Sequence, residues 1–188
     1  LAKQAYARTM IRRAVRSSTA VLTVSQAALD ELARFVPGAS AKATVVPNGV
    51  DDAFLVSPDP AERARVRREL SLPRRYVLFV GNDKPHKNLS GLLDALVLLR
   101  KRDALDFALV LAGGAPERSA GRAREARERG IADAVADLGV VPDRDVPPLM
   151  AEAEALDHPS LAEGFGLPVL EAQALGVPAI CSRRGGLP

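Results

Sequence analysis

The sequence is poor in the residues that build disulfide frameworks and metal clusters. Cys181 is its only cysteine, which excludes an intramolecular disulfide and favours a cytoplasmic protein. The two histidines, His86 and His158, lie too far apart in sequence for a zinc motif. No apolar run approaches the ~20 residues of a membrane-spanning helix. The cations spread over residues 1–16 do not fit the pattern of a signal peptide.

The sequence also has little net charge. Lysine and arginine number 26 against 23 acidic residues, which gives a formal charge of +3. So small an excess gives poor support to nucleic-acid binding, and we expect no nucleic-acid partner. Hydrophobic residues make up 47% of the chain and charged residues 26%, the balance of a folded protein. The length of 188 residues fits one domain, or one domain with part of another.

One segment is strongly basic. Residues 3–16 are predicted to form a helix, in which Arg8, Arg12 and Arg16 repeat every fourth residue and no acid precedes Asp30. This face either lies in solvent or contacts an anionic partner, such as an acidic acceptor or the inner face of a membrane. The second interpretation predicts a peripheral membrane contact for a cytoplasmic protein.

From residue 76 onward, predicted strands and helices alternate with short connections. This pattern predicts an α/β fold, with a Rossmann-like open parallel sheet that carries helices on both faces. The predicted strands lie at 76–80, 106–112, 138–141, 155–159 and 178–182, and the helices at 88–100, 116–129, 146–153 and 167–175.

The part of the chain before residue 76 reads less regularly. Helices are predicted at 26–35 and 60–70, with Ser25 and Asp59 as their N-caps. Residues 51–60 lack periodicity and predict a linker. Two short strands complete this part, at 19–24 and 44–46.

Ligands of a parallel sheet bind beyond the carboxyl ends of its strands. The loop at 81–88 follows the first of the alternating strands and contains Gly81, Asn82, Lys84 and Lys87. Glycine permits a close backbone approach, and lysines beside a helix N-terminus suit a phosphate. An ordinary polar loop with solvated lysines is the alternative.

The most informative segment is 163–171, which reads EGFGLPVLE. Pro168 is predicted to start a helix, so the N–H groups of Phe165, Gly166 and Leu167 should point outward from its first turn. Free N–H groups at a helix N-terminus bind anions.

A glutamate stands at each end of this segment. Glu171, predicted in the first turn of the helix, can accept two hydrogen bonds from a vicinal diol such as a ribose. Glu163, at the carboxyl end of a strand, can reach a polar group beside the phosphate. From the residues alone, both are better explained as a helix-start acid and a loop acid.

Four further residues favour structural roles. Asp143 and Asp145 match a D-x-D pattern that can hold a divalent metal under a diphosphate, but Asp145 is better explained as a helix cap, and we expect no metal. His158 lies near a strand end and is predicted to be structural. Cys181 lies in an apolar strand and is predicted to be inert core.

These motifs together resemble the retaining glycosyltransferases of family 4, which have the two-domain GT-B fold. The hallmark of that family is a pair of glutamates separated by seven residues, here Glu163 and Glu171. The stretches at 46–51, 80–89 and 172–180 are similar to other motifs of the family and occur in its order.

The resemblance implies a division of the chain. Residues 1–56 are expected to be the end of the N-terminal, acceptor-side domain and a linker. Residues 57–188 are expected to be a C-terminal domain that binds a nucleotide-activated sugar and is truncated at its end. Because both ends look cut and the cleft needs two domains, we expect this chain alone to be inactive.

The resemblance also implies roles for individual residues. Glu163 would face the donor sugar and Lys87 would neutralise the diphosphate leaving group, which makes these the catalytic pair. The donor-binding residues would be Glu171 at the ribose, Phe165, Gly166, Leu167, Gly81, Asn82 and Lys84 around the diphosphate, and Val141 beside the nucleobase.

The implied activity is that of a hexosyltransferase, for example a mannosyltransferase in polysaccharide biosynthesis. The complete enzyme would use a nucleotide-sugar donor such as GDP-mannose or a UDP-sugar and a carbohydrate or lipid-linked acceptor. Transfer would retain the anomeric configuration and need neither a metal nor another cofactor. Two departures from the family stand out: Asn82 lies where many members carry arginine, and Asp157 where an apolar residue is usual.

Two other functions stay open at this point. A non-catalytic nucleotide-sugar binding module would keep donor affinity without transfer. Another GT-B-shaped enzyme, such as a nucleotide-sugar epimerase, would need acid and base groups facing the substrate, and we find no residues to assign to them. A Rossmann dehydrogenase is disfavoured, because no G-x-G-x-x-G follows the strand at 76–80.

Overall fold

The computed structural model describes residues 2–187, with side chains from residue 5 onward. Its first part pairs two short parallel strands, with Val21 opposite Ala43. The first strand is shorter than the sequence predicts, and the second has the predicted length but begins one residue earlier. The two helices agree closely with the prediction. The elements are α1 (Ala2–Ser17), β1 (Val21–Thr23), α2 (Gln26–Phe35) and β2 (Ala43–Val45).

The segment between β2 and the next helix, α3 (Pro60–Glu69), is more than the linker that the sequence predicts. Asp51 accepts a hydrogen bond from the Ala53 N–H at 2.9 Å and starts a short 3-10 turn. Phe54 closes that turn and is buried in the main core. An aromatic anchor therefore fixes the connection against the sheet.

The main sheet has five parallel strands in the order β5-β4-β3-β6-β7. Crossover helices connect these strands, which confirms the predicted open parallel sheet. In chain order the elements are β3 (Tyr76–Val80), α4 (Leu89–Lys101), β4 (Ala108–Ala112), α5 (Ser119–Glu128), β5 (Val135–Gly139), α6 (Val146–Ala151), β6 (Ala155–His158), α7 (Leu167–Ala174) and β7 (Ala179–Cys181).

The central strands are buried on both faces because successive side chains point to opposite sides. Leu78 and Val110 pack with α3, α6 and α7 on one face. Phe79 and Leu109 pack with α4 and α5 on the other. The two cores hold the strand ends in a fixed relative position, and this fixes where the loops after them lie. Within residues 2–187, no helix combines the length and apolar character needed to cross a membrane.

The bounds predicted for the strand at 138–141 were wrong. The observed strand β5 begins at Val135 and ends at Gly139, whose φ of +62° turns the chain away from the sheet. The β-branched pair at 140–141 suggested a strand, but Val141 packs into the core beyond it. The true strand was missed because Asp137, a charged residue, is not expected inside a buried strand. In the structure Arg122 donates two hydrogen bonds to Asp137 and neutralises its charge inside the fold.

The prediction that Cys181 is buried was also wrong. Its side chain is exposed. It lies on β7, which forms one edge of the sheet over the described residues. An apolar strand at an edge is packed on fewer sides than a central one, and periodicity does not distinguish the two.

Candidate functional site

The candidate site lies where β3 and β6 end side by side. The two strands pair in parallel, so the loops that follow them meet at the same edge of the sheet. The Leu161 N–H donates to the His86 carbonyl at 2.7 Å, and the Asn88 side-chain amide donates to the Pro159 carbonyl at 3.2 Å. These bonds hold the two loops together.

Across this junction the structure brings together the two predicted catalytic residues. Lys87 Nζ lies 2.6 Å from Glu163 Oε2, and the side chains are only 15% and 17% exposed. Burial raises the pKa of the Glu163 carboxyl, but hydrogen bonds from Lys87 and His158 outweigh it and leave the pKa below its ordinary value. Glu163 is therefore an ionised acceptor, and Lys87 a cation held at the lip of the sheet.

A third side chain reaches the same carboxylate. His158 is fully buried and places Nε2 3.0 Å from Glu163 Oε2, with Ser160 Oγ 3.2 Å from the same nitrogen. Sequence reasoning gave His158 only a structural role. Its position at the end of a strand, five residues before Glu163, was the signal that pointed to this loop.

The start of α7 is the predicted anion site. Gly166 is its N-cap in the left-handed conformation, with φ of 94°. In the described part of the chain, the N–H groups of Phe165, Gly166 and Leu167 donate to no protein acceptor. Leu187 covers Gly166, and a Cβ there would lie 2.5 Å from its side chain. The tip therefore has free donors, but Leu187 narrows the approach to it.

Glu171 lies in the second turn of α7, one turn later than the sequence predicts. The side chain is partly buried, and this burial raises its pKa, which the carboxylate of Asp51 raises further. Asp51 precedes the 3-10 turn at 52–54, which contacts α7. The connection between the two parts of the chain thus supplies a second carboxylate close to Glu171.

The loop after β3 holds the remaining predicted ligands. Gly81 lies so close to the neighbouring loop that a Cβ on Gly113 would meet the Gly81 carbonyl at 2.6 Å. The Asn82 side chain accepts from the Lys84 N–H at 3.2 Å and so shapes the loop itself. Lys84 is exposed. These three positions lie in the same loop as Lys87.

At two predicted positions, Val141 and Asp145, the side chain makes contacts other than those expected. The side chain of Val141 is buried in the main core, so only its backbone is free to flank a nucleobase. Asp145 forms no side-chain cap on α6. Its carboxylate instead accepts from Arg65 at 2.6 Å, because the buried charge needs a cationic partner more than the helix needs a cap.

The first part of the chain also reaches the site, which sequence reasoning missed. Ser25 caps α2 by accepting from the Ala28 N–H, and its hydroxyl donates to the Gly164 carbonyl at 2.6 Å. On the other side, the Gly186 N–H donates to the Glu163 carbonyl at 2.9 Å. The glutamate loop is therefore clamped from both sides by segments distant in sequence.

Solved structures with the same architecture include HepE of Anabaena in complex with UDP-glucose. It aligns with a TM-score of 0.80 over 98% of this chain and 51% of that chain, at 24% identity. A sucrose-phosphate synthase from Thermosynechococcus elongatus aligns with a TM-score of 0.78 over 96% of this chain and 44% of that chain, at 26% identity.

Curated relatives match nearly the whole chain. O-antigen chain mannosyltransferase B of Escherichia coli is 33% identical over 97% of this chain and 48% of its own length. A GDP-mannose-dependent α-(1-6)-phosphatidylinositol monomannoside mannosyltransferase of Mycolicibacterium smegmatis is 35% identical over 97% of this chain and 49% of its own length. The chain therefore spans about half the length of these relatives.

Family models cover the two parts of the chain. The model of glycosyltransferase family 4 matches residues 1–54, and the model of glycosyl transferases group 1 matches residues 61–188. The second match alone covers more than half of the chain. With the parallel sheet and its GT-B neighbours, this establishes that the chain belongs to the group 1 glycosyltransferases.

Proposed function

We propose that this chain binds the nucleotide-sugar donor of a retaining hexosyltransferase. The observation that carries the proposal is the Lys87–Glu163 pair at the carboxyl edge of the sheet, beside the unused N–H groups at the start of α7. A cation, free backbone donors and an ionised acceptor then share one surface. This combination of groups suits a pyrophosphate linked to a sugar.

The two kinds of donor group serve the diphosphate. Lys87 is a largely buried cation, and the N–H groups of Phe165, Gly166 and Leu167 carry the partial positive charge of a helix N-terminus. Lys84, exposed on the same loop, adds charge at the rim. Fixed donors of this kind stabilise the charge that develops on a leaving diphosphate without reorganising.

The two glutamates serve the neutral parts of the donor. Within the described residues, Glu163 Oε1 has no hydrogen-bond partner, since Lys87 and His158 both bind Oε2. That free oxygen can accept from a sugar hydroxyl. Glu171 offers a carboxylate for the ribose diol. We propose that transfer retains the anomeric configuration and needs no metal.

The relatives favour mannose as the transferred sugar. The Escherichia coli and Mycolicibacterium relatives are named as mannosyltransferases, one of them GDP-mannose-dependent, whereas the HepE structure holds UDP-glucose. We therefore propose a GDP-mannose donor, with a UDP-sugar as the alternative. A carbohydrate or lipid-linked acceptor fits the names of the same relatives.

The donor is tested by thermal shift and calorimetry with GDP, GDP-mannose, UDP, UDP-glucose and ADP. We expect GDP and GDP-mannose to stabilise the protein most, since ligand that binds the native state raises the unfolding temperature. Guanosine and uridine are the controls, because they lack the phosphates that Lys87 would bind. Absence of any shift with all five nucleotides would contradict the proposal.

Lys87 gives the sharper test of the anion site. Lys87→Ala should lower affinity for the nucleoside diphosphate by about tenfold, because a charge-assisted contact is lost, and leave the bare nucleoside unaffected. Arg118→Ala is a matched control, since this exposed cation faces Asp83 outside the Lys87–Glu163 pair. Equal losses for the two ligands would place Lys87 away from the phosphates.

A transfer assay distinguishes the proposed transferase from its two alternatives, a binding-only module and an epimerase. A binding-only module would bind the donor but would release no nucleoside diphosphate in the complete protein. An epimerase would convert the donor without an acceptor. Acceptor-dependent release of nucleoside diphosphate, with a product that keeps the anomeric configuration of the donor, supports the transferase.

We also propose that α1 contacts an anionic membrane surface from the cytoplasmic side. Arg8 and Arg12 lie over the Phe35 ring at 5.6 and 5.0 Å, and Tyr6 and Ile11 are exposed on the same helix. Exposed apolar groups beside arginines suit the membrane interface. Cosedimentation should occur with vesicles containing phosphatidylglycerol and not with phosphatidylcholine alone; equal binding to both would contradict this contact.

A further inference from the structure

We propose that His158 is a positioning residue that orients Glu163 toward the donor sugar, a role that rests on the proposed function of this site. His158 ends β6, and its ring is fully inaccessible to solvent. Its Nε2 lies 3.0 Å from Glu163 Oε2. A buried histidine bound to an ionised carboxylate at a candidate reaction centre needs an explanation beyond packing.

The surroundings of the ring select one tautomer. The Nδ1 atom is buried and finds no hydrogen-bond partner in the part of the chain that the structure describes. A buried N–H without an acceptor is costly, whereas an unprotonated ring nitrogen loses less. The proton of a neutral ring therefore belongs on Nε2, where the Glu163 carboxylate accepts it.

The charges around the ring agree with a neutral donor. Burial lowers the pKa of His158, and the ammonium of Lys87 lowers it further, against the opposing hydrogen bond to Glu163. A neutral imidazole donates one hydrogen bond without adding a second positive charge beside Lys87. The neutral His158 ring therefore orients the Glu163 carboxylate without changing its charge.

Both donors meet the same oxygen of Glu163. Lys87 Nζ and His158 Nε2 lie 2.6 and 3.0 Å from Oε2, and among the described residues Oε1 accepts no hydrogen bond. Two donors on one oxygen fix the rotation of the carboxylate. Oε1 is left as the acceptor that can face a sugar hydroxyl.

The arrival of a donor would change this balance. A pyrophosphate draws the Lys87 ammonium toward itself, so Glu163 would share or lose its ionic partner at that moment. His158 has no such competitor, because its ring is inaccessible to solvent. We therefore assign to His158 the task of holding Glu163 in place while Lys87 serves the diphosphate.

The ring is itself held by the ends of β6 and β7. The Ser160 hydroxyl lies 3.2 Å from His158 Nε2. The Ser182 hydroxyl donates to the Ser160 carbonyl, and the Ser182 N–H donates to the His158 carbonyl at 3.4 Å. These contacts hold the ends of the two strands together beside the ring, which is itself fully buried.

The tautomer is tested first by nitrogen NMR of the histidine rings. The chain has only two histidines, so His86→Gln assigns the spectrum by removing one set of signals. We expect the His158 ring to be neutral and protonated on Nε2 at pH 7, with and without nucleotide. A ring protonated on Nδ1, or on both nitrogens, would overturn the proposal.

The positioning role is tested by the ratio of two affinities. The ligands are GDP and GDP-mannose, with UDP and UDP-glucose as the second pair. His158→Leu should lower affinity for the nucleotide sugar by about tenfold and change affinity for the nucleoside diphosphate by less than about twofold. A purely structural role predicts equal losses for both ligands.

Two polar variants keep the test valid if the leucine variant does not fold. The amide nitrogen of His158→Gln can reach the place of Nε2, and this variant should restore most of the nucleotide-sugar affinity. The shorter amide of His158→Asn cannot reach Glu163 and should not restore it. Equal behaviour of the two amides would overturn the role.

A matched control lies next to His158 on the same strand. The side chain of Asp157 points to the opposite face of the sheet, so Asp157→Asn should leave the affinity ratio unchanged. If the unmodified protein binds none of the four nucleotides, the proposed function is wrong. If it binds them and His158→Leu keeps the ratio, only the positioning role is wrong.

Discussion

At the scale of single residues, the candidate site is a set of charges whose surroundings decide what each can do. Glu163 is kept ionised by Lys87 and His158, whereas burial and the charge of Asp51 raise the pKa of Glu171. The two glutamates have the same chemistry and different environments. Their roles should therefore separate when they are removed one at a time.

Removal of the Glu171 side chain tests the ribose contact. Glu171→Ala should weaken binding of both the nucleoside diphosphate and the nucleotide sugar by about tenfold, because a hydrogen bond to a charged group is lost. Glu171→Gln keeps the shape and should recover only part of the affinity. Calorimetry checks this, with 2′-deoxy-GDP as the ligand that lacks one hydroxyl; an unchanged affinity in Glu171→Ala would count against the contact.

Asp157 makes a prediction about stability. Burial raises the pKa of Asp157 to about 6, above the value of ~3.9 in an unfolded chain. Between these two values the folded protein binds more protons than the unfolded one, so stability falls as the pH rises through this window. The charged carboxylate is then a buried, destabilising group at neutral pH.

Asp157→Asn removes that charge and should stabilise the protein at high pH only. We expect the free energy of unfolding to rise by ~1–2 kcal/mol at pH 8 and to change little at pH 4, since the folded Asp157 is then protonated and as uncharged as asparagine. Urea denaturation followed by circular dichroism at the two pH values measures this. An equal effect at both would show that packing, not ionisation, distinguishes the two side chains.

At the scale of elements, connections between the two parts of the chain shape the site. Ser25 performs two tasks, since its hydroxyl oxygen caps α2 and its proton is donated to Gly164. Ser25→Ala should lower the free energy of unfolding by about 1–2 kcal/mol, the range of a lost N-cap. Ser25→Thr keeps both hydrogen bonds and is the control; if it destabilises as much as alanine, the bonds are not the cause.

Local sequence patterns predicted the helices and strands, whereas contacts between distant parts of the chain determined where some of them begin and end. The caps Ser25 and Asp59 were predicted correctly because a cap depends on its own few neighbours. The strand β5 was misplaced because the charge of Asp137 indicates a solvent-exposed position. Only the structure shows that Arg122 lies beside it and pairs with that charge. Exposure of Cys181 could not be predicted, since it depends on the order of strands in the sheet.

The same division applies to the candidate site. The motif spacing pointed to Glu163 and Lys87, and the pairing of β3 with β6 brings them within 2.6 Å. The contact of His158 with Glu163 was missed, because no spacing rule shows which residue lies under a loop. Likewise, the contact of Ser25 with Gly164 spans 139 residues and has no local signature. The domain boundary at 56–57 and the ligand roles remain predictions.

At the scale of the whole molecule, the arrangement of cations bears on whether donor binding needs a metal. The D-x-D pattern at 143–145 is the natural candidate for a diphosphate-bridging cation, yet Asp145 is nearly buried and held by Arg65 at 2.6 Å. A carboxylate already paired in this way must break that bond to bind a metal. We propose that Lys87 and the start of α7 balance the charge of the diphosphate instead.

Donor binding should therefore be independent of divalent cations. We expect affinity for GDP and GDP-mannose to change by less than about twofold between EDTA and excess Mg²⁺ or Mn²⁺, because the fixed donors already supply the positive charge. Asp143→Asn should behave like the unmodified protein, whereas Lys87→Ala should lose affinity in both conditions. Loss of binding in EDTA that Mn²⁺ restores, and that Asp143→Asn abolishes, would show instead that the D-x-D pattern holds a metal.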